Sequence, residues 1–263
     1  MDIYNGDIIS MVSSPNFNPN SFVHGVSHNE WKELNENIDK PMLNKALSGL
    51  YPPGSTIKTL TALSALENDI VSSKLLVKCN GYTDLHGERF HCWKKKGHGV
   101  VGMRTALKKS CDVYFYEVAR KLGIDRLSAT AKKFGLGKKV LKNYREEKAG
   151  VVPNTKWKKR ELGKNWYIGE TLHSGIGQGF FLTTPLQLTL MTAQIANGGF
   201  KITPRILIDK NEQVANLQKY LNHKNSTPGN VMSTNDKIYN FNLEPLFRNQ
   251  ENINLVKDAM FAA

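Results

Sequence analysis

Acidic residues are under-represented: 23 Asp and Glu face 36 Lys and Arg in 263 residues, a formal net charge of +13. Such a balance admits a polyanionic partner, nucleic acid or an acidic membrane face. The lysines are scattered, however, and no aromatics are interleaved with them at a regular spacing, so the excess reads as a solvated basic surface and no nucleic-acid partner is expected. Long apolar runs are also missing. None approaches the roughly 18 residues that span a bilayer, and the N-terminus has neither a basic nor an apolar leader region. Internal repeats and low-complexity tracts are absent, and cysteine is rare, with three residues, all between Cys79 and Cys111. What remains is an ordinary globular composition, long enough to bury a substantial core as one large domain or two small ones.

The stretch MDIYNGDIISMVSSP reads as strand, Asn5-Gly6 turn, strand. A polar, irregular connection is expected from Pro15 to Leu43. After the Pro52-Pro53-Gly54 break, Thr56 to Asn68 carries the apolar spacing of a helix packed on a core. Leu76 to His98 reads as irregular. One helix is expected from Met103 to Leu122, closed by Gly123, and a further helix from Ile124 to Phe134. Lys138 to Lys164 is basic, broken by Pro153, and reads as loop. Thr184-Pro185-Leu186-Gln187 is a helix start with its own capping box. Phe200 to Ile208 alternates like a strand, and DAMFAA ends the chain inside a helix.

YPPGSTIKTL sets Ser55 three residues ahead of Lys58, one helical turn apart and on one face, so that the two can hydrogen-bond. A serine hydroxyl is a poor nucleophile, and a lysine serves as its base only where burial or a neighbouring cation makes the neutral amine accessible. The competing reading is a plain helix cap, a position serine favours. Further along, Ser110 and Asp112 form a Ser-x-Asp element inside the expected helix. Ser-x-x-Lys with a Ser-x-Asn-type element is part of the signature of penicillin-binding proteins and serine β-lactamases.

PPGSTIKTLTALSALE, HCWKKKGHG, SCDVYFYEVARKLGIDRL and SGIGQGFFLTTPLQL resemble the transpeptidase domain of the penicillin-binding protein 2 family, class B enzymes of bacterial cell elongation. The resemblance runs from Met1 to about Phe200 and returns at DAMFAA. It implies an α+β fold in which helices flank an antiparallel sheet. It implies Ser55 as the acylated nucleophile, Lys58 as its base, Ser110 as a proton relay to the leaving amine, and Asp112 where many relatives carry Asn. The Ser55 backbone N–H would supply half of an oxyanion hole. The implied reaction is acyl transfer from D-Ala-D-Ala stem peptides of peptidoglycan, with β-lactams acylating the same serine and no catalytic cofactor. Implied too are membrane proteins of the elongation complex as partners and a place on the periplasmic face of the inner membrane.

One element of the resemblance is not met. The sequence contains no Lys-Thr-Gly or Lys-Ser-Gly; His173-Ser174-Gly175 reads as part of the Gly-rich GIGQG loop. The expectation is a partial transpeptidase domain over residues 1–263, without the family's N-terminal anchor and C-terminal Lys-Thr/Ser-Gly region, showing little or no turnover by itself. Rival readings are a non-catalytic penicillin-binding remnant, a serine β-lactamase, for which no water-activating motif is found, and a basic zinc-dependent nucleic-acid binder.

The cysteines and one histidine follow the spacing C-x12-C-x5-H-x12-C, as Cys79, Cys92, His98 and Cys111. Three thiolates and an imidazole are the ligand set of a closed structural zinc site, although the tight Cys-x-x-Cys knuckle is missing. The alternative is a Cys79–Cys92 disulfide with Cys111 buried and free and His98 solvated. Trp93 and Trp166 read as surface or packing residues, and GIGQG as a structural loop beside the site, since no βαβ unit surrounds it.

Overall fold

A computed structural model describes residues 1–141, 144–206 and 244–263. At its centre lies α3 (Ile57–Glu67), in which nine of eleven residues are buried. Its apolar residues are spread around the helix and need cover on several sides. That cover comes from α5 (Asp112–Leu122), α6 (Ile124–Lys133) and the chain's last helix, Gln250–Phe261. A further helix, Ile168–Gly175, packs on α5 and also touches α3, where the Thr61 hydroxyl donates to the Gly175 carbonyl. Two small antiparallel sheets sit beside α5: β1 (Leu76–Cys79) pairs with β4 (Gly99–Gly102), and β2 (Tyr82–Leu85) with β3 (Glu88–His91). Among the described residues no helix is long and apolar enough to cross a membrane.

Several expectations hold. The helices expected at Thr56–Asn68 and Ile124–Phe134 are α3 and α6. The Thr184 start is α9 (Pro185–Ala196), whose Thr184–Gln187 capping box is complete, and DAMFAA closes α10 (Gln250–Phe261).

Others are corrected. The N-terminal stretch forms no hairpin: the Asp2 carboxylate accepts the N–H groups of Tyr4 and Asn5, folding a side-chain-mediated turn, and Asp7 makes an isolated parallel bridge to Arg205. Within Pro15–Leu43 lies α1 (His28–Glu36), started by a Ser27–Glu30 capping box that the sequence displays; the short α2 (Lys45–Ser48) follows. Leu76–His98 holds three of the four strands, the β2–β3 hairpin turning at His86-Gly87, both with positive φ. The basic segment Lys138–Lys164 contains α7 (Thr155–Leu162), capped by Asn154. His173-Ser174-Gly175 is the last turn of α8 (Ile168–Gly175). Of Phe200–Ile208 the described part forms only isolated bridges, at Phe200 and Arg205; residues 207 and 208 lie outside the described residues.

The expected Met103–Leu122 helix is two: α4 (Met103–Lys108) and α5, separated at Lys109–Cys111, where Ser110 adopts φ +48°. A left-handed conformation costs a non-glycine residue roughly 1–2 kcal/mol. The break has a geometric reason, because on a continuous helix positions i and i+2 point away from each other, whereas here Ser110 and Asp112 converge on one atom.

Candidate active site

Ser55 lies in a 3-10 turn, Gly54–Thr56, that runs into α3, and neither turn nor helix has a side-chain cap hydrogen bond. The capping reading of Ser55 therefore fails. Its exposed hydroxyl accepts instead from Ser110 Oγ at 2.9 Å. Lys58, in the first turn of α3 and 2 % exposed, points its ammonium at the break between α4 and α5. There it donates to Ser110 Oγ at 2.9 Å, the Ser110 carbonyl at 3.0 Å and Asp112 Oδ1 at 2.6 Å. Those three bonds use all of the ammonium's hydrogens. The direct Ser55–Lys58 bond expected from the spacing is thus replaced by a bridge through Ser110.

Asp112 opens α5, where the helix dipole favours a negative charge. Its second oxygen accepts the Trp93 main-chain N–H at 2.9 Å. Both carboxylate oxygens thus face donors. A carboxylate, an acceptor only, satisfies both; an amide would turn an NH2 toward one of them. Asp at this position follows from its surroundings.

Behind Ser55, the Gly54 N–H donates to the Gly177 carbonyl at 2.9 Å. A Cβ on Gly177 would stand 2.1 Å from the Gly54 carbonyl oxygen, and its φ is +76°. The glycine is needed for that close approach. An isolated antiparallel bridge between Tyr51 and Thr183 lies alongside, so the GIGQG loop and the residues after it brace the turn that carries the serine.

The four candidate metal ligands also converge. Cys79, Cys92, His98 and Cys111 place their ligating atoms within 4.8 Å of one another, with His98 Nδ1 3.6 Å from Cys79 Sγ and 3.5 Å from Cys92 Sγ. All three cysteines are free and buried, which removes the disulfide reading. Zinc with sulfur at about 2.3 Å and nitrogen at about 2.0–2.1 Å in a tetrahedron sets its S···N edges near 3.6 Å, so the thiol–imidazole distances fit a metal. Burial pushes the Cys92 and Cys111 thiols up and, with Lys94 and Lys109 nearby, pushes the His98 imidazole down. A neutral imidazole suits a metal, and buried thiolates need one. His98 Nε2 is buried without a hydrogen-bond partner among the described residues, the ring being held edge-on to Trp93 with centroids 5.4 Å apart. Cys111 lies between Ser110 and Asp112, so the cluster abuts the lysine site.

Residues 1–245 match the penicillin binding protein transpeptidase domain. The chain belongs to that family. Peptidoglycan D,D-transpeptidase MrdA of Acinetobacter baumannii is 44% identical over 209 residues, covering 79% of this chain and 31% of the relative. This member therefore spans about a third of the length of the curated relatives it matches. Among solved structures, PBP2 of Pseudomonas aeruginosa in complex with WCK 5153 superposes with a TM-score of 0.79 at 35% identity, covering 99% of this chain and 55% of that one. A Helicobacter pylori complex between PBP2 and MreC gives 0.81 at 31% identity, covering 100% and 44%. The α+β class is that of these penicillin-binding folds.

Trp93, expected as a surface or packing residue, hydrogen-bonds at the site, and the Lys158–Glu170 pair was not expected. Trp93 touches three backbone or side-chain acceptors at the site. Its only sequence signal is adjacency to Cys92. Lys158, on α7, is 2 % exposed and paired with Glu170 of α8; nothing in its basic segment distinguishes it from its exposed neighbours.

Proposed function

We propose that this chain carries the acyl-transfer centre of a peptidoglycan D,D-transpeptidase, with Ser55 as nucleophile. The observation that supports this most directly is the continuous hydrogen-bonded series Ser55 Oγ, Ser110 Oγ, Lys58 Nζ, exposed at the serine and buried at the lysine. Acylation starts when Lys58 offers a lone pair: the Ser55 proton passes to Ser110 Oγ as the Ser110 proton passes to Lys58 Nζ. Ser55 Oγ then bonds the carbonyl carbon of the D-Ala-D-Ala peptide bond. As the C–N bond breaks, the same route returns the proton to the departing D-Ala amine. The amine of a second stem peptide takes the acyl group and restores the Ser55 hydroxyl. The Ser55 N–H, at the N-terminal end of α3, is read as one donor to the oxyanion.

Penicillins and other β-lactams are the second ligand class, since they present the same acyl chemistry to Ser55. Turnover is proposed to require a Lys-Thr-Gly or Lys-Ser-Gly element, which this sequence lacks. A second reading is penicillin binding without turnover. The test joins this chain to the Lys-Thr/Ser-Gly segment of a full-length relative and exposes it to a fluorescent penicillin. Stoichiometric ester at Ser55, abolished in Ser55→Ala, supports the transpeptidase reading; labelling elsewhere, or none, sinks it. Release of D-Ala from a stem peptide separates enzyme from remnant.

The Cys79, Cys92, His98 and Cys111 cluster is read as a structural zinc site. Zinc there would supply cross-linking and no chemical step, tying β1, the β3–β4 connection and the α4–α5 break together. One equivalent of metal in purified protein, lost in Cys92→Ser, is the expected result. The family relationship suggests elongation-complex membrane proteins as partners and the periplasmic face of the inner membrane as location; labelling by a membrane-impermeant reagent in cells tests the latter.

A further inference from the structure

We infer that Trp93 is a positioning residue for the serine relay, holding the left-handed peptide of Ser110 and the Asp112 carboxylate in the arrangement that Lys58 engages. The residue is 64% exposed, so burial of apolar surface does not account for a tryptophan here. What the residue contributes is two rigidly related donors. Its main-chain N–H binds Asp112 Oδ2 at 2.9 Å, and its indole N–H is shared between the Lys109 and Ser110 carbonyls at 3.1 Å each. The Ser110 carbonyl also accepts Lys58 Nζ, at 3.0 Å. Ser110 is the residue with φ +48°, a conformation that persists only when its surroundings over-determine it. Besides the Ser110 and Cys111 amide bonds to Leu107 and Ala106, those surroundings are Trp93 and Lys58, gripping one carbonyl between them.

Rotation of that peptide toward a right-handed conformation would carry Ser110 Oγ out of line between Ser55 and Lys58. Trp93 itself is anchored, because Cys92 precedes it and His98, against whose ring it packs, follows within the same metal-type cluster. Order in the cluster is thereby transmitted to the relay through one side chain and one amide. The inference rests on reading Ser110 as the relay, but its deciding measurements need no catalysis.

The test uses the 263-residue chain and the variant Trp93→Phe, which keeps a ring and the main-chain N–H but removes the indole donor. The Ser110 and Cys111 amides are bonded to the Leu107 and Ala106 carbonyls and so report on the break by hydrogen exchange. Their exchange should quicken about tenfold in the variant, the equivalent of one lost hydrogen bond, while amides in the middle of α3 stay unchanged. The second measurement repeats the substitution in a Ser110→Gly background, where a positive φ carries no strain. There the fall in urea midpoint caused by Trp93→Phe should be at most about half of that in the parent.

Equal falls in both backgrounds, or unchanged exchange at Ser110 and Cys111, would overturn the inference. In the extended polypeptide, Trp93→Phe should slow the acylation step and leave the penicillin dissociation constant in place; the opposite split would make Trp93 a ligand contact and overturn it too. Absence of labelling in the parent polypeptide would instead defeat the transpeptidase reading and leave the exchange and midpoint results standing.

Discussion

Lys58 and Lys158 are each 2 % exposed, and each is paired with one carboxylate, Asp112 and Glu170 respectively. Their surroundings differ. Lys158 sits among aromatic rings, 4.6 Å from the Tyr167 centroid and 5.8 Å from those of Trp166 and Phe180. Glu170 completes that cage and also accepts the Tyr167 N–H. No hydroxyl bonds to Lys158 among the described residues, so no hydroxyl relay leads from it. Lys58 has one ring at 5.8 Å, Phe115, and otherwise faces oxygen: a carboxylate, a carbonyl, and a hydroxyl that leads to an exposed serine. Burial and an ion pair are common to both lysines; a hydroxyl path to solvent is what separates Lys58, proposed above as the base, from Lys158.

The sharpest way to break the comparison is acylation. In the polypeptide extended through a Lys-Thr/Ser-Gly element, Lys58→Ala should slow fluorescent-penicillin labelling of Ser55 by about a thousandfold, within the range for loss of a positioned acid–base group. Lys158→Ala, corrected for folded fraction, should stay within about fivefold, because it touches no group of the relay. Comparable losses in both variants would show that the cage, too, belongs to the chemistry.

Asp112→Asn comes next. One Asn oxygen can serve Lys58 or the Trp93 N–H, and the NH2 then confronts the other donor. Leaving a buried ammonium without its charge partner costs on the order of 3 kcal/mol, read as a lower urea midpoint with unchanged slope. A neutral result would mean that the pair is replaceable by an amide, and the argument for Asp at this position would fall.

The Lys158 cage supplies the third. Lys158→Met alone strands Glu170 and should cost about 1–3 kcal/mol. The double variant Lys158→Met, Glu170→Leu should recover most of that loss or exceed the parent, as apolar replacements of buried ion pairs do. If the double variant is worse than the single one, Glu170 acts through Tyr167 and not through Lys158.

How much of this was legible beforehand depended on whether a feature is written locally. Ser55 and Lys58 were legible because their i, i+3 spacing puts them on one side where a helix begins near Ser55, although the structure links them through Ser110. α3 and α9 were legible from apolar spacing and from the Thr184–Gln187 box. The same box at Ser27–Glu30 went unread inside a polar segment, where low hydrophobicity argued for loop. The break at Ser110 was hidden because α4 and α5 join two helix-favouring stretches; only the convergence of Ser110 and Asp112 on Lys58, a contact 52 and 54 residues long, demands it. Lys158 was illegible for a related reason: its burial is created by Trp166, Tyr167 and Phe180, residues that adjoin it only in space. The cysteine cluster was half legible, since spacing supplied the four residues but not their convergence, which brings three free thiols and His98 together in space.

An exposed ion pair completes the series and gives the smallest effect. Glu117, on α5, reaches Arg120 at 2.9 Å and Lys121 at 3.2 Å, both within a turn. Partial burial pushes its carboxyl up, but hydrogen bonds and charge from the two cations outweigh this and leave it below its ordinary value of 4.5. A group lowered on folding stabilises the native state above its unfolded value, and that contribution is lost as pH falls through the folded one. Glu117→Gln should therefore cost about 0.5 kcal/mol at pH 7. The gap to the parent should close as pH drops from about 5 to 3, and shrink in about 1 M salt, where the screening length is near 3 Å. Urea titrations of both proteins at three pH values measure it. A gap that persists at pH 3 would mean that Glu117 contributes by packing on α5 and not by charge, and the ranking of the three pairs by burial would lose its lowest member.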